Sequence, residues 1–167
     1  MGIDVSVRRA RLFWPFAFAC LLLDIITKRW ATRALVPFER NEVLGDVVRL
    51  TLTFNQGAAF GIGLGSSSRW ILLAVSILML AIVYRWYRSS GQAQPGQVIG
   101  LALIAGGAIG NLLDRLLSAR GVVDFIDVGV AETRWWTFNV ADMGVSVGAA
   151  LVLWSVWRSG AEAGRQS

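Results

Sequence analysis

The sequence predicts a membrane all-α fold. Four transmembrane helices carry a small extracytoplasmic β-sheet, with a surface loop or short helix between the third and fourth spans. Three observations predict it. Four apolar runs are long enough, or nearly so, to cross about 30 Å of hydrocarbon. Charged residues make up only 16% of the chain and apolar ones 55%, whereas soluble domains carry about 25% charge. One stretch between the first two runs alternates with period two, as a half-buried strand does.

The first run, Leu12–Trp30, follows Arg8, Arg9 and Arg11. That is also the layout of a secretory signal peptide, but no A-x-A site follows and three more runs do, so it reads as an uncleaved first helix. The strand signal comes next: Val48, Leu50, Leu52 and Phe54 alternate with Arg49, Thr51, Thr53 and Asn55. The second run is Trp70–Trp86, the third Val98–Leu117 and the fourth Asn139–Trp157. Runs of this length without strict alternation are helices, because a spanning segment must satisfy its own backbone. Gly91–Gly96, with Pro95, marks a turn between the second and third. All eight tryptophans fall near run ends, as an interfacial belt requires. Gly106 and Gly110 in the third run, and Gly144 and Gly148 in the fourth, have the small-xxx-small spacing of close helix packing. There are no repeats, and residues 1–167 read as a single membrane domain.

Four spans place both termini and the Tyr87–Gln97 loop on one side. Ala31–Arg69 and Ser118–Phe138 share the other. Arg8, Arg9, Arg11, Arg85, Arg88, Arg158 and Arg165 flank the first side, which is therefore assigned to the cytoplasm. The other nine of the 16 basic residues flank the far side, but the long first outer loop counts for little in that rule.

The net charge of +5 does not indicate nucleic acid, since the charges sit between apolar runs rather than on one soluble face. There is no histidine and only one cysteine, Cys20, in mid-run. That removes Ser-His-Asp and Cys-His catalysis and histidine-based zinc, and Cys20 reads as a small buried hydrophobe. Ionisable groups in a span cost at least about 2.5–3.5 kcal/mol at the bilayer centre and less near its edge. Here they converge on the outer end. Asp24 and Lys28 close the first helix, four residues apart on one face. Asn111, Asp114 and Arg115 close the third, and Asn139 and Asp142 open the fourth. Asp124 and Asp127 lie in the loop between those two. Taken singly, each could be a structural ion pair or a cap, with Asp142 stabilised by the helix dipole. Taken together they outline a site.

Four stretches resemble the bacterial lipoprotein signal peptidase family, also called signal peptidase II. They are Asp24-Ile25-Ile26-Thr27-Lys28; Asn55-Gln56-Gly57-Ala58-Ala59-Phe60; Gly106 to Arg115 (GGAIGNLLDR) followed by Val122-Val123-Asp124-Phe125; and Phe138-Asn139-Val140-Ala141-Asp142. In order and together they are specific. One departure is local: Gly121 abuts Val122, where the family usually has one residue between, and the link from Arg115 is one residue longer. The resemblance implies an aspartic endopeptidase of the inner membrane. Its substrate is a prolipoprotein whose cysteine carries diacylglycerol, and it cuts just before that cysteine. Asp124 and Asp142 match the catalytic pair. Asn55, Asn111, Arg115 and Asn139 match residues that shape the site and hold substrate, with Gly57 beside Asn55. Asp24, Lys28 and Asp114 match polar supports. No metal or cofactor is implied, and the expected partners are the lipidated substrate and membrane lipid, with the protein a monomer.

The chemistry is sound on its own terms. Two carboxylates about 4 Å apart repel by roughly 4 kcal/mol at an effective dielectric of 20, which separates their titrations by about three units. One stays protonated while the other takes a proton from water, and spacing does not say which. The alternative, a small transporter or ion pathway, predicts polar groups through the full bilayer depth. Only Ser76 stands in the middle of the second run.

Overall fold

A computed structural model describes residues 5–59, 62–63, 68–89 and 94–163. Phe60, Arg165 and residues 91–93 of the expected turn lie outside the described residues. Four helices form: α1 (Val5–Ala34), α2 (Ser68–Ser89), α3 (Pro95–Leu117) and α4 (Val140–Ala163). At a 1.5 Å rise per residue they are about 33 to 45 Å long, and all four are long and apolar enough to cross a membrane. Each expected run lies within its helix, except that Asn139 caps α4 rather than beginning it.

Helix α3 is central, packed against α1, α2 and α4. Lipid tails are as apolar as leucine, so close approach rather than hydrophobicity must hold such helices together. The small residues supply it. Gly106 lies against the Ala17 carbonyl, Gly107 against the Ala141 carbonyl, and Gly148 against the Gly100 carbonyl. A Cβ at any of these would collide with backbone. Cys20 is buried beside Gly144. The bundle interior is lined by Phe13, Ala17, Val83, Val98, Leu101, Ala102, Ala105 and Val152. All eight tryptophans are exposed on the outside of the protein, as a lipid-facing belt requires.

The non-helical chain forms β1 (Arg40–Leu44), β2 (Val48–Asn55), β3 (Ala58–Ala59), β4 (Ile62–Gly63), β5 (Val122–Val130) and β6 (Thr133–Arg134). Strands β1, β2, β5 and β6 make one antiparallel sheet in that order, while β3 and β4 pair separately. The expected strand at residues 48–55 is β2. The expected loop or short helix after α3 is instead the strand pair β5–β6, so Asp124 stands on a strand. The chain reaches β5 through a tight turn. Ser118 N–H donates to the Asp114 carbonyl at 2.9 Å, and Gly121 N–H to the Ser118 carbonyl at 3.3 Å. Gly121 has φ +97°, and a Cβ there would meet the Asn55 backbone. A glycine directly before Val122 therefore lets β5 close onto β2.

Leu52, Val123 and Phe125 pack on Ala31, fastening the sheet to the last turns of α1. At the opposite end of the bundle, Arg9 donates to the Tyr87 carbonyl at 3.0 Å and Gln94 to Ser159 Oγ at 3.0 Å. These contacts gather the start of α1, the end of α2, the start of α3 and the end of α4. The sheet and the polar cluster occupy the other end.

Candidate active site

The start of α4 is built as a reciprocal cap. Asn139 Oδ1 accepts from Asp142 N–H at 3.0 Å, and Asp142 Oδ2 accepts from Asn139 N–H at 3.2 Å. This arrangement satisfies two of the amide groups that a helix start leaves orphaned. A third, Ala141 N–H, donates to Asp24 Oδ1 of α1 at 2.9 Å. Gly110 makes that reach possible, because a Cβ there would collide with the Asp24 carboxylate.

With its oxygen committed to the cap, the Asn139 amide nitrogen points inward. It donates to Asp124 Oδ1 at 2.6 Å, and lies 3.1 Å from Asn111 Oδ1 and 3.2 Å from the Val123 carbonyl. Asn139 thus touches both Asp124 and Asp142. Asn111 completes the ring, donating from Nδ2 to Asp142 Oδ1 at 2.8 Å.

Beneath this ring lies a buried cation. Lys28 Nζ is 2.8 Å from Asp24, 2.8 Å from Asp114 and 3.0 Å from Asn111 Oδ1. Lys28 is 4% exposed and Asp24 0%, so the desolvation cost demands this dense pairing. Asp114 also accepts from Val123 N–H at 3.2 Å, which ties the α3 support to the strand bearing Asp124. The expected Asp24–Lys28 pair is present. Asp114 bonds to Lys28, and no Asp114–Arg115 ion pair forms among the described residues.

Asn55 lies at the end of β2, two residues beyond Thr53, which pairs with Asp124. Its Oδ1 accepts from Gly57 N–H at 3.0 Å, and its side chain hydrogen-bonds Asp124. Gly57, at φ +143°, lies where any Cβ would strike Ser68, so it supports Asn55 through the backbone. Arg115 is half-buried, with its charge facing Asp142, Asp124 and Asp114. Its Nη1 donates to the Asn111 carbonyl at 3.2 Å. Arg69, at the start of α2, holds the Arg115 carbonyl at 2.7 Å. Arg69, Val123 N–H and Ala141 N–H were not legible as site groups. Backbone donors carry no residue signature, and Arg69 stands alone in its stretch.

Asp124 is 4% exposed. Burial, reinforced by the Asp142 charge, pushes its carboxyl up to about 7 against the hydrogen bonds from Asn55 and Asn139. Asp127, three residues along the same strand, bonds Arg134 Nε at 2.7 Å. On an extended chain an odd separation puts side chains on opposite faces, and Asp127 is drawn away from the cluster.

Set against known families, residues 16–158 match the sequence model of Signal peptidase (SPase) II. The chain belongs to the signal peptidase II family. Membership makes it a peptidase and a multi-pass protein of the bacterial inner membrane. Curated relatives named lipoprotein signal peptidase agree over most of their length. The Chlorobium phaeobacteroides protein is 40% identical, covering 86% of this chain and 95% of that one. The Syntrophomonas wolfei protein is 36% identical, covering 84% and 89%. A bacterial membrane enzyme solved by the in meso method at 1.9 Å superposes with a TM-score of 0.73 at 26% identity, covering 84% of this chain and 89% of that one. A second, at 2.3 Å, gives a TM-score of 0.75 at 24% identity over 88% of each and shares the fold.

Proposed function

We propose that this signal peptidase II removes the signal peptide from diacylglyceryl-modified prolipoproteins, cutting just before the lipidated cysteine with Asp124 and Asp142 as its catalytic pair. The observation that carries the reading is the Asn139 clamp. One asparagine bonds Asp124 through its side chain at 2.6 Å and Asp142 through its backbone at 3.2 Å. Two carboxylates so held share a site and divide the charge between them.

Asp124, held near 7, carries the proton at the start of the reaction. Asp142 takes a proton from water as the water oxygen bonds to the scissile carbonyl carbon. Asp124 donates a hydrogen bond to the carbonyl oxygen as it gains charge. When the C–N bond breaks, the Asp124 proton passes to the leaving cysteine amine. The signal peptide departs with a new carboxylate, and transfer of the Asp142 proton back to Asp124 restores the pair. Arg115 faces both carboxylates, and its planar fork suits the peptide backbone flanking the cut. Asn55, Asn111 and Asn139 fix the pair, while Asp24, Lys28 and Asp114 fix the asparagines.

The site end of the bundle faces away from the cytoplasm, and both termini lie inside. Arg8, Arg9, Arg11, Arg85 and Arg88 flank the opposite end, in keeping with the positive-inside tendency. A cysteine at Arg40 in a Cys20→Ala background should react with an impermeant reagent from outside the cell; reaction only after permeabilisation reverses the orientation. A transporter reading finds no support in α2, where Ser76 bonds its own Leu72 carbonyl at 2.9 Å.

The deciding experiment is the mass of the products from a lipidated prolipoprotein incubated with the purified protein. A free signal peptide and a mature chain beginning with the lipidated cysteine are expected. Cleavage elsewhere, or equal kcat/KM for precursors with and without diacylglycerol, overturns the reading.

A further inference from the structure

The last turns of α1 face two ways. Lys28 points into the bundle, where it is fully paired. Ile26, Arg29, Trp30, Arg33 and Ala34 point outward and line an open cleft of about 410 Å³. Their spacing of three and four residues puts them on one helix face. Neither Arg29 nor Arg33 has an ion pair among the described residues. One turn apart, their positions differ by about 6 Å along the axis, a separation that one phosphodiester can bridge. Trp30 meets Phe125 edge-on, with ring centroids 6.3 Å apart. One turn further into the bilayer, Leu22 and Ile26 are both exposed. The surface therefore runs from apolar to aromatic to dicationic within about three turns.

We infer that this cleft binds an anionic phospholipid of the leaflet on the site's side, with its phosphate between Arg29 and Arg33 and an acyl chain along Ile26 and Leu22. Charge and shape both favour this occupant. Two unpaired guanidinium groups favour a net negative headgroup over a zwitterion. The apolar strip continuous with them fits an amphiphile, where a free phosphate would leave it uncovered. Trp30 has the amphipathic ring that settles at headgroup depth. Its contact with Phe125, the residue after Asp124, places the lipid against the strand that bears the candidate acid.

Native mass spectrometry of the purified protein, titrated with phosphatidylglycerol or phosphatidylcholine of matched chains, tests this without any turnover. It therefore stands or falls separately from the peptidase reading. The wild type should hold its first phosphatidylglycerol roughly ten- to thirtyfold more tightly than phosphatidylcholine, from two basic groups near a membrane surface. Arg29→Gln/Arg33→Gln should lose that preference, and Arg29→Lys/Arg33→Lys should keep most of it, which controls for folding. An unchanged preference in the glutamine variant overturns the inference. So does displacement of the lipid by glycerol phosphate, which would mean a simple anion site. Displacement by the lipidated precursor would assign the cleft to substrate and equally overturn it.

Discussion

Lys28 Nζ lies 3.0 Å from Asn111 Oδ1, and that contact sets which way the Asn111 amide faces. A lysine ammonium only donates, so the oxygen must turn toward it and the nitrogen toward Asp142. Removing either residue should therefore disturb the same carboxylate. Asn111→Leu should lower kcat by about 10²-fold with KM little changed, as loss of one positioned donor does. Lys28→Met should lower kcat as well and cost roughly 3–5 kcal/mol of stability, since it strands Asp24 and Asp114. The double variant should be far from additive in kcat. Additive losses would mean that the two act separately.

The second expectation concerns which aspartates react. Asp124→Asn and Asp142→Asn keep shape but neither ionise nor act as acids, so each should reduce cleavage by on the order of 10³-fold or more. Lipopeptide binding should survive, and the double variant should be little worse than either single one. Asp127→Asn should retain substantial activity, because its partner is Arg134, although the broken ion pair should lower thermal stability. A dead Asp127→Asn beside an active Asp124→Asn would move the site along the strand.

Asp124 also sets a pH dependence. In the proposed mechanism its carboxyl, held near 7, is protonated in order to donate, so kcat/KM should fall as pH rises through about 7. The sign for stability follows from linkage. Between the ordinary carboxylate value and about 7 the folded state keeps a proton that the unfolded chain has lost, so stability from this group falls as pH rises over that window. Asp124→Asn removes the penalty. It should stabilise the protein relative to wild type by more at pH 8 than at pH 4, by at most about 4 kcal/mol. A thermal melt series at both pH values checks this, and equal shifts would contradict the buried acid.

Arg115→Lys keeps the charge and loses the fork. Activity should drop by roughly 10- to 10²-fold while insertion and melting temperature stay near wild type. An unimpaired lysine variant would reduce Arg115 to a general counter-charge for Asp124 and Asp142.

Several elements could be read directly. The strand at Val48–Asn55 shows because apolar and polar side chains alternate along it, although only Leu52 is fully buried, and Asp24–Lys28 shows because its spacing is local. Strand β5 carries no such signal, for a physical reason. Val122, Val123, Asp124 and Phe125 are all buried, so no period-two alternation exists to see, and its pairing partner lies some seventy residues upstream. The polar convergence was visible from helix ends alone. The wiring was not: which amide faces which carboxylate depends on contacts such as Asn139 with Asp124 and Lys28 with Asn111, and these exist only after the helices have packed.

The bond from Ala141 N–H to Asp24 spans 117 residues, and it has a consequence for biosynthesis. A nascent chain with three helices inserted holds Lys28, Asn111 and Asp124 but lacks Asn139 and Asp142. It carries half of the proposed pair, held by Asn55 but without the Asn139 clamp. A ribosome stalled before the fourth helix would thus leave a chemically silent fragment in the membrane. On the proposed mechanism, the protease is armed only when its last helix arrives.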